Sequence, residues 1–220
     1  MRVVVTDTSI LINFAWIERL DLLRDMVGVE FWIPRTVVEE VRHPELRPRI
    51  EAAVRSGFLL VVEATLLEQE VFALLTKEDR LDPGEAECLA IAAARGCIIA
   101  CDERSRKFLR VQKRLLGEGR CVTSLDLVVA SLARGLLVLE QADGFLEVWR
   151  RHRFQPGIAS FAERWRPDGG ADRIAEGRGR SAFANSEAMR RYQAVLTRIV
   201  RYDRSTPSTT RPPRAVAHLR

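Results

Sequence analysis

The sequence lacks the glycine-rich motifs that bind nucleotide phosphates. No GxGxxG or GxxxxGK[ST] segment follows a predicted strand, which disfavours a dinucleotide site and an ATP loop. No uncharged apolar run approaches the roughly 18 residues that span a bilayer. Asp7 interrupts the N-terminal apolar stretch too early for a secretory signal. We therefore expect a soluble, cytoplasmic protein with no membrane partner.

Cysteine and histidine are also scarce. The four cysteines include no CxxC pair, so we interpret them as buried thiols in a reducing compartment, with a soft-metal site as the alternative. The three histidines lie away from the predicted strand ends, which disfavours histidine-based hydrolysis. These residues are Cys88, Cys97, Cys101, Cys121, His43, His152 and His218.

Positive charge is concentrated at the C-terminal end. The 220-residue chain has a formal charge of +5, and the eleven arginines and five acidic residues of 167–220 give that region +6. Residues 1–166 therefore carry −1. A basic tail favours phosphate-bearing partners, but only through a screened, non-specific attraction. Its segment STPSTTRPPR is of low complexity and is predicted to be disordered.

Predicted strands and helices alternate along the rest of the chain. Short β-branched runs predict strands at VVVTD, VEFWIP, LLVVEA, CIIACD and CVTSL. Apolar residues at helical spacing predict one long helix over ILINFAWIERLDLLRDM, a helix beginning at Thr36, and further helices over GEAECLAIAAARG, ERSRKFLRVQKRLLG, LDLVVASLARGL and LEQADGFLEVWRRHRF. This alternation predicts an α/β fold with a mostly parallel sheet covered by helices on both faces.

Acidic residues follow several of these strands. Asp7 ends the first strand, Glu40 lies about a turn into the helix after the second, and Asp102 ends the fourth. Glu85 opens the GEAECLA helix. Because sites in open α/β sheets lie beyond the carboxyl ends of the strands, we expect these four carboxylates at one edge. A hard cation would offset their mutual repulsion, and oxygen ligands suit Mg²⁺ or Mn²⁺.

Four segments in order carry a resemblance to a known family. They are VVVTDTSILINFAWIERLDLL, FWIPRTVVEEV, LDPGEAECLAIAAARG and IIACDERSRKFL, and LLGEGRCVTSLDLVVASLARGLL follows them. Together they resemble the PIN domain family, in particular a prokaryotic branch with a GEAE motif. The resemblance implies a three-layer α/β/α sandwich of about five strands and a Mg²⁺- or Mn²⁺-dependent endoribonuclease. Many prokaryotic members are VapC-type toxins silenced by an antitoxin protein, and dimers are common.

The resemblance also implies which residues form the active site. The acidic set of the family falls on Asp7, Glu40, Glu85 and Asp102, and Ser9 matches a hydroxyl residue that orients water or substrate. Two positions depart from the usual family pattern: Glu85 stands where Asp is more common, and Ala100 where many members have Thr. The resemblance implies a nuclease domain over 1–145, which leaves a helical extension over 146–166 and a basic tail over 167–220.

Several alternatives stay open at this point. Asp7 is also a candidate N-cap, and Glu87 and Glu103 compete for places in the acidic set. Arg104, Arg106 and Lys107 are either RNA contacts or a solvated helix face. The leading hypothesis is an RNA-cleaving hydrolase, in some settings the toxin of a two-protein pair. The alternative is a non-catalytic scaffold of the same fold that binds nucleic acid.

Overall fold

A computed structural model describes residues 2–165 of the chain. The strands are β1 (Arg2–Thr6), β2 (Val29–Pro34), β3 (Leu59–Val62), β4 (Ile98–Ala100) and β5 (Cys121–Val122). The helices are α1 (Thr8–Trp16), α2 (Asp21–Arg24), α3 (Arg35–Glu40), α4 (Leu46–Arg55), α5 (Leu66–Lys77), α6 (Pro83–Arg95), α7 (Arg106–Leu116), α8 (Ser124–Ala133) and α9 (Leu139–Arg151), with a 3₁₀ turn at Phe161–Glu163. The tail predicted for 167–220 lies outside the described residues.

The five strands form one parallel sheet in the order β3-β2-β1-β4-β5. β1 lies at the centre, where Val5 pairs with Trp32 on one side and Ile99 on the other. The connections from β1 run outward to β2 and β3, whereas β4 continues outward to β5 on the other side. The gap between the ends of β1 and β4 is therefore the topological switch point, where sheets of this kind bind ligands.

Helices cover both faces of the sheet, as the sequence predicts. On one face α5, α6 and α7 pack side by side, and on the other α1 contacts α4, α8 and α9. Crossovers between parallel strands are almost always right-handed, and this rule predicts the same two layers of helices. The apolar residues of β1 and of the alanine-rich α6 are buried between them, including Val4, Val5, Leu89 and Ile91. The molecule is a three-layer α/β/α sandwich, which confirms the predicted fold class.

The single long helix predicted after β1 is wrong. α1 ends at Trp16, and Glu18 adopts a left-handed φ of 56° before α2 begins. The guanidinium of Arg49 stabilises the break, because it donates to the carbonyl of Ala15 at 2.8 Å and to the carboxylate of Glu18 at 2.7 Å. This tertiary contact from α4 outweighs the local helical pattern, which by itself contains no glycine or proline stop signal.

The C-terminal extension belongs to the same core. The division predicted at residue 145 falls inside α9, and Trp149 of that helix is fully buried. Phe161 and Trp165 are buried in the same hydrophobic cluster. Edge-to-face ring contacts join Trp149 to Phe154 and Phe161 at centroid distances of 5.2 and 6.3 Å. None of the helices in residues 2–165 is long and apolar enough to cross a membrane.

Candidate active site at the switch point

Asp7 lies directly after the central strand and is 7% exposed. Its backbone amide donates to the carbonyl of Ala100 at 3.0 Å, which fixes it against the end of β4. Its carboxylate caps α1 by accepting from the amide of Ser9 at 3.2 Å. Burial raises the pKa of the Asp7 carboxyl, and hydrogen bonds from Ser9, Thr8 and Cys101 oppose that rise. Ionisation of Asp7 at the switch point therefore has an energetic cost.

The Ser9 hydroxyl joins Asp7 to Asp102. It donates to Asp7 Oδ2 at 2.8 Å and accepts from the backbone amide of Asp102 at 3.2 Å. The thiol of Cys101 approaches the same Oδ2 at 3.5 Å. The bonds from Ser9 and Cys101 all reach Oδ2, so none of them occupies Oδ1. This geometry brings the two strand-end aspartates together around one serine, 93 residues away from Asp102 in sequence.

Asp102 is held by two residues from distant helices. Asn13 Nδ2 donates to its Oδ2 at 2.8 Å, and the amide of Ser124 donates to its Oδ1 at 2.9 Å. The Ser124 hydroxyl also donates to Oδ2. Burial raises the pKa of Asp102, whereas these bonds and the charge of Arg104 oppose that rise. Asp102 is therefore locked in one orientation, which is a common property of metal-ligating carboxylates.

Ser124, which was not among the residues predicted from the sequence, is part of this network. Ser124 is fully buried and begins α8 immediately after the last strand, at the same edge of the sheet as Asp7 and Asp102. The acidic residues were predicted from their positions just after the strands. Ser124 has the same kind of position, so the same signal would have indicated it. Asn13 belongs to the same network, because its side-chain amide donates to both Asp102 and Ser124.

Glu40 reaches the same edge from the end of α3. Its Oε2 accepts from the Thr8 hydroxyl at 2.6 Å, and its Oε1 accepts from the amide of Gly84 at 2.9 Å. Glu40 is the last residue of the six-residue helix α3, a little over one turn from its start, close to the position predicted for it. The carboxylate therefore links the residue after Asp7 to the residue before Glu85.

Glu85 lies in the first turn of α6 and is half-buried. Burial raises its pKa to about 7, and the charges of Asp82, Glu103 and Asp7 add to the rise. The fully buried thiol of Cys88, one turn further along α6, also lies within electrostatic range of these groups. Burial raises its pKa, and so do the negative charges of Asp7, Glu87, Glu40 and Glu85. All four sequence-predicted carboxylates thus lie at one edge of the sheet.

Comparison with known proteins identifies the family of the chain. The family model described as the PIN domain matches residues 3–152, which is more than half of the chain. The chain belongs to the PIN domain family. A search of the curated proteins finds no significant match. PIN domains have a nuclease-like fold and are generally nucleases that use divalent metal ions, so the match assigns the chain to the hydrolases in this coarse sense.

Two further acidic residues of this PIN domain have different surroundings. Glu87 is 8% exposed, and its Oε2 accepts from both the amide and the hydroxyl of Thr36. It therefore satisfies the first turn of α3. Glu103 raises the pKa of Glu85 through its charge, and its Oε1 accepts from the amide of Ser105 at 2.5 Å. Glu103 lies beside the carboxylate set, whereas Glu87 is occupied in a structural contact.

The basic residues that follow Asp102 divide into two kinds. Lys107 is held beside the loop before α6, where its ammonium donates to the backbone carbonyl of Arg80. Arg104 and Arg106 are exposed, and within residues 2–165 neither forms an ion pair. The Arg104 guanidinium lies near Gly157, where an added Cβ would be 3.9 Å from its Nη1. Arg104 and Arg106 thus remain available to a phosphate.

The side chains at the candidate site of this PIN domain offer oxygen ligands, which are the kind that bind a hard divalent cation. Asp7, Glu40, Glu85 and Asp102 offer only carboxylate oxygens, and no lysine or arginine of residues 2–165 forms an ion pair with them. Burial raises the pKa values of Asp7, Glu85 and Asp102, and only at Asp102 does a nearby cation, Arg104, oppose that rise. In the described part of the chain, however, no three His, Cys, Asp or Glu side chains are close enough to form a ready-made metal site. Closure around an ion therefore requires side-chain rotation.

Proposed function

We propose that this PIN domain is a metal-dependent endoribonuclease. The observation that carries the proposal is the pairing of Asp7 and Asp102 by Ser9 at the switch point, next to Glu40 and Glu85. The carboxylates are buried or half-buried, and no lysine or arginine of residues 2–165 forms an ion pair with them, an arrangement that proteins keep mainly where function requires it. Phosphodiester hydrolysis is the reaction for which such a set is suited.

In this proposal Asp7, Glu40, Glu85 and Asp102 hold Mg²⁺ or Mn²⁺ directly or through water. When bound, such an ion supplies an activated water and stabilises negative charge on the phosphoryl oxygens. Ser9 positions Asp7 relative to Asp102, and Asn13 and Ser124 fix the rotamer of Asp102. Glu85, whose pKa is about 7, exchanges a proton near neutral pH and is the residue best placed to respond to metal binding.

The decisive experiment is cleavage of a panel of RNAs with Mg²⁺, with Mn²⁺ and with EDTA. We expect cleavage only with the metals, and loss of at least about a hundredfold in Asp7→Asn and Glu40→Gln. Glu39→Gln is the matched control for Glu40→Gln, because Glu39 is the exposed neighbour on the same helix. Equal cleavage by wild type and Asp7→Asn, or equal cleavage in EDTA, would refute the proposal.

The alternative function is a non-catalytic PIN domain that binds nucleic acid. It predicts RNA binding that persists in Asp7→Asn and in EDTA, together with no cleavage of any RNA in the panel. Calorimetric titration with Mn²⁺ separates the two functions, since only the nuclease requires an ion at the carboxylates. A heat of binding that disappears in Asp7→Asn supports the nuclease, and no heat in either protein supports the alternative.

A further inference from the structure

Helix α7 starts near the carboxylates and carries two differently placed rows of basic residues. Its apolar face is formed by Phe108 and Val111, which are fully buried. Lys107 and Arg114, seven residues apart, lie along one flank, and both bind the loop before α6. Lys107 donates to the carbonyl of Arg80, and Arg114 donates to Asp79 at 2.6 Å. This first row attaches α7 to the rest of the domain.

The second row lies on the solvent face and has no such partners. Arg106 and Arg110 are four residues apart on the helix, so their side chains are neighbours on one face. Both are exposed, and neither forms an ion pair or a hydrogen bond within residues 2–165. Lys113 follows on the same face, but Glu118 binds it at 2.6 Å. The uncompensated charge on α7 therefore spans about one helical turn.

The second row of basic residues extends back toward the candidate active site. Arg104 lies two residues after Asp102, and its positive charge opposes the rise in the pKa of that carboxyl. Arg104 and Arg106 flank Ser105, which caps the N-terminus of α7 through the amide of Phe108. Arg104 lies just before α7, and along the helix Arg106 and Arg110 are separated by about one turn, roughly 5.4 Å. This step is comparable with the separation of successive phosphates in an extended polynucleotide.

We propose that Arg104, Arg106 and Arg110 form a track that binds the phosphates on one side of the scissile bond. The inference rests on the proposed nuclease function and adds the route that the RNA strand takes across the protein surface. Leu109, 45% exposed on the same face of α7, offers an apolar surface to a ribose or base. Lys107, one of the three residues first considered for RNA contact, lies on the other flank of α7 beside Arg80 and is not part of the track. The track sets binding of the strand and not the chemistry at the carboxylates.

The test is RNA binding by the full-length chain in EDTA, so that binding does not depend on catalysis. The probe is a fluorescein-labelled RNA decamer, and fluorescence anisotropy is measured over a range of KCl concentrations. The variant Arg106→Gln/Arg110→Gln is expected to bind about tenfold more weakly at low salt, with the slope of log affinity against log salt reduced by about 1.4. The matched control is Arg114→Gln on the same helix, which is expected to leave affinity within about twofold.

Cleavage kinetics give the second readout. With Mg²⁺, Arg106→Gln/Arg110→Gln is expected to raise KM about tenfold and to leave kcat within about twofold, because the track is remote from the reacting phosphate. If the double variant and Arg114→Gln have the same affinity, salt slope and KM, the track is refuted while the nuclease function stands. If no RNA is cleaved but the arginine-dependent binding is observed, the nuclease function fails and the phosphate track remains. A thermal melt confirms that each variant is folded.

Discussion

The carboxylate of Glu40 fills the space that a side chain at position 84 would need. Glu40 Oε1 accepts from the Gly84 amide at 2.9 Å, and a Cβ at Gly84 would lie only 2.5 Å from Oε2. The amide belongs to the first turn of α6, where unpaired N–H groups favour a negative charge. Glycine at this position therefore allows a carboxylate from α3 to reach the candidate site.

Gly84→Ala should displace Glu40 without unfolding the domain. The atoms that the new methyl group meets belong to the flexible end of Glu40, which can rotate away. We expect loss of metal-dependent RNA cleavage by about ten- to a hundredfold, with stability changed by about 1 kcal/mol or less. Gly144→Ala is the control, because that Cβ meets nothing within 4 Å and helical Gly→Ala changes stabilise by about 1 kcal/mol. Full activity in Gly84→Ala would contradict the role of Glu40.

Ser9→Ala should uncouple Asp7 from Asp102. The variant loses a donor to Asp7 Oδ2 and an acceptor for the Asp102 amide, while the Asp7 cap on the backbone of residue 9 remains. We expect kcat to fall by about ten- to a hundredfold and the free energy of unfolding to fall by about 1 kcal/mol. Ser9→Thr retains the hydroxyl and should recover most of the activity. Kinetics and urea unfolding of the two variants measure the difference.

Substitutions of two glutamates on α6 should affect different properties, RNA cleavage in one case and stability in the other. Glu85→Ala removes a half-buried carboxylate near Asp7, so RNA cleavage should be lost while the fold is retained. Glu87→Ala leaves the Thr36 amide without its acceptor, and the free energy of unfolding should fall by about 1–3 kcal/mol while cleavage persists. Activity assays beside chemical denaturation check both outcomes. The reverse pattern would place Glu87 in the site instead.

Metal-free stability should fall as the pH rises toward neutrality. The pKa of Glu85 is about 7 in the folded protein, above its unfolded value of 4.5, so the folded state binds more protons between these values. Its contribution is fully present below about pH 4.5 and is lost as the pH rises through about 7. Exposure of the side chain reduces the effect to about 1 kcal/mol. Thermal melts in EDTA from about pH 5 to about pH 8 measure it, and Glu85→Gln should flatten the profile.

Added Mg²⁺ should reverse this trend. The ion competes with protons for the same oxygens, so its stabilising effect should be larger at about pH 8 than at about pH 5.5. At a hundred times its dissociation constant, an ion that binds only the folded state stabilises by about 2.7 kcal/mol. The difference between melts with and without Mg²⁺ should disappear in Asp7→Asn. A metal effect that is independent of pH and of Asp7 would argue against the site.

The sheet and the positions of the carboxylates could be predicted because both follow from local signals. β-branched runs mark the strands, and the residues after parallel strands meet at one edge, as Asp7 and Asp102 do. The hydrogen-bond partners of Lys107 and Glu87 could not be predicted, because both contacts form only in the folded protein. Lys107 donates to the carbonyl of Arg80, and Glu87 accepts from the first turn of α3. A charge pattern alone does not distinguish a bound side chain from a free one.

The bond between Trp149 and Asn13 determines how far the chain can be shortened. The indole Nε1 donates to the Asn13 carbonyl at 2.8 Å, and the Asn13 side chain holds Asp102. A truncation at residue 145 would cut α9 in half, delete the indole and expose the core beneath it. The shortest fragment that keeps the geometry of Asp102 therefore extends past Trp149. Because Trp165 is also buried, the shortest fragment with a complete core extends to residue 165, the last residue described.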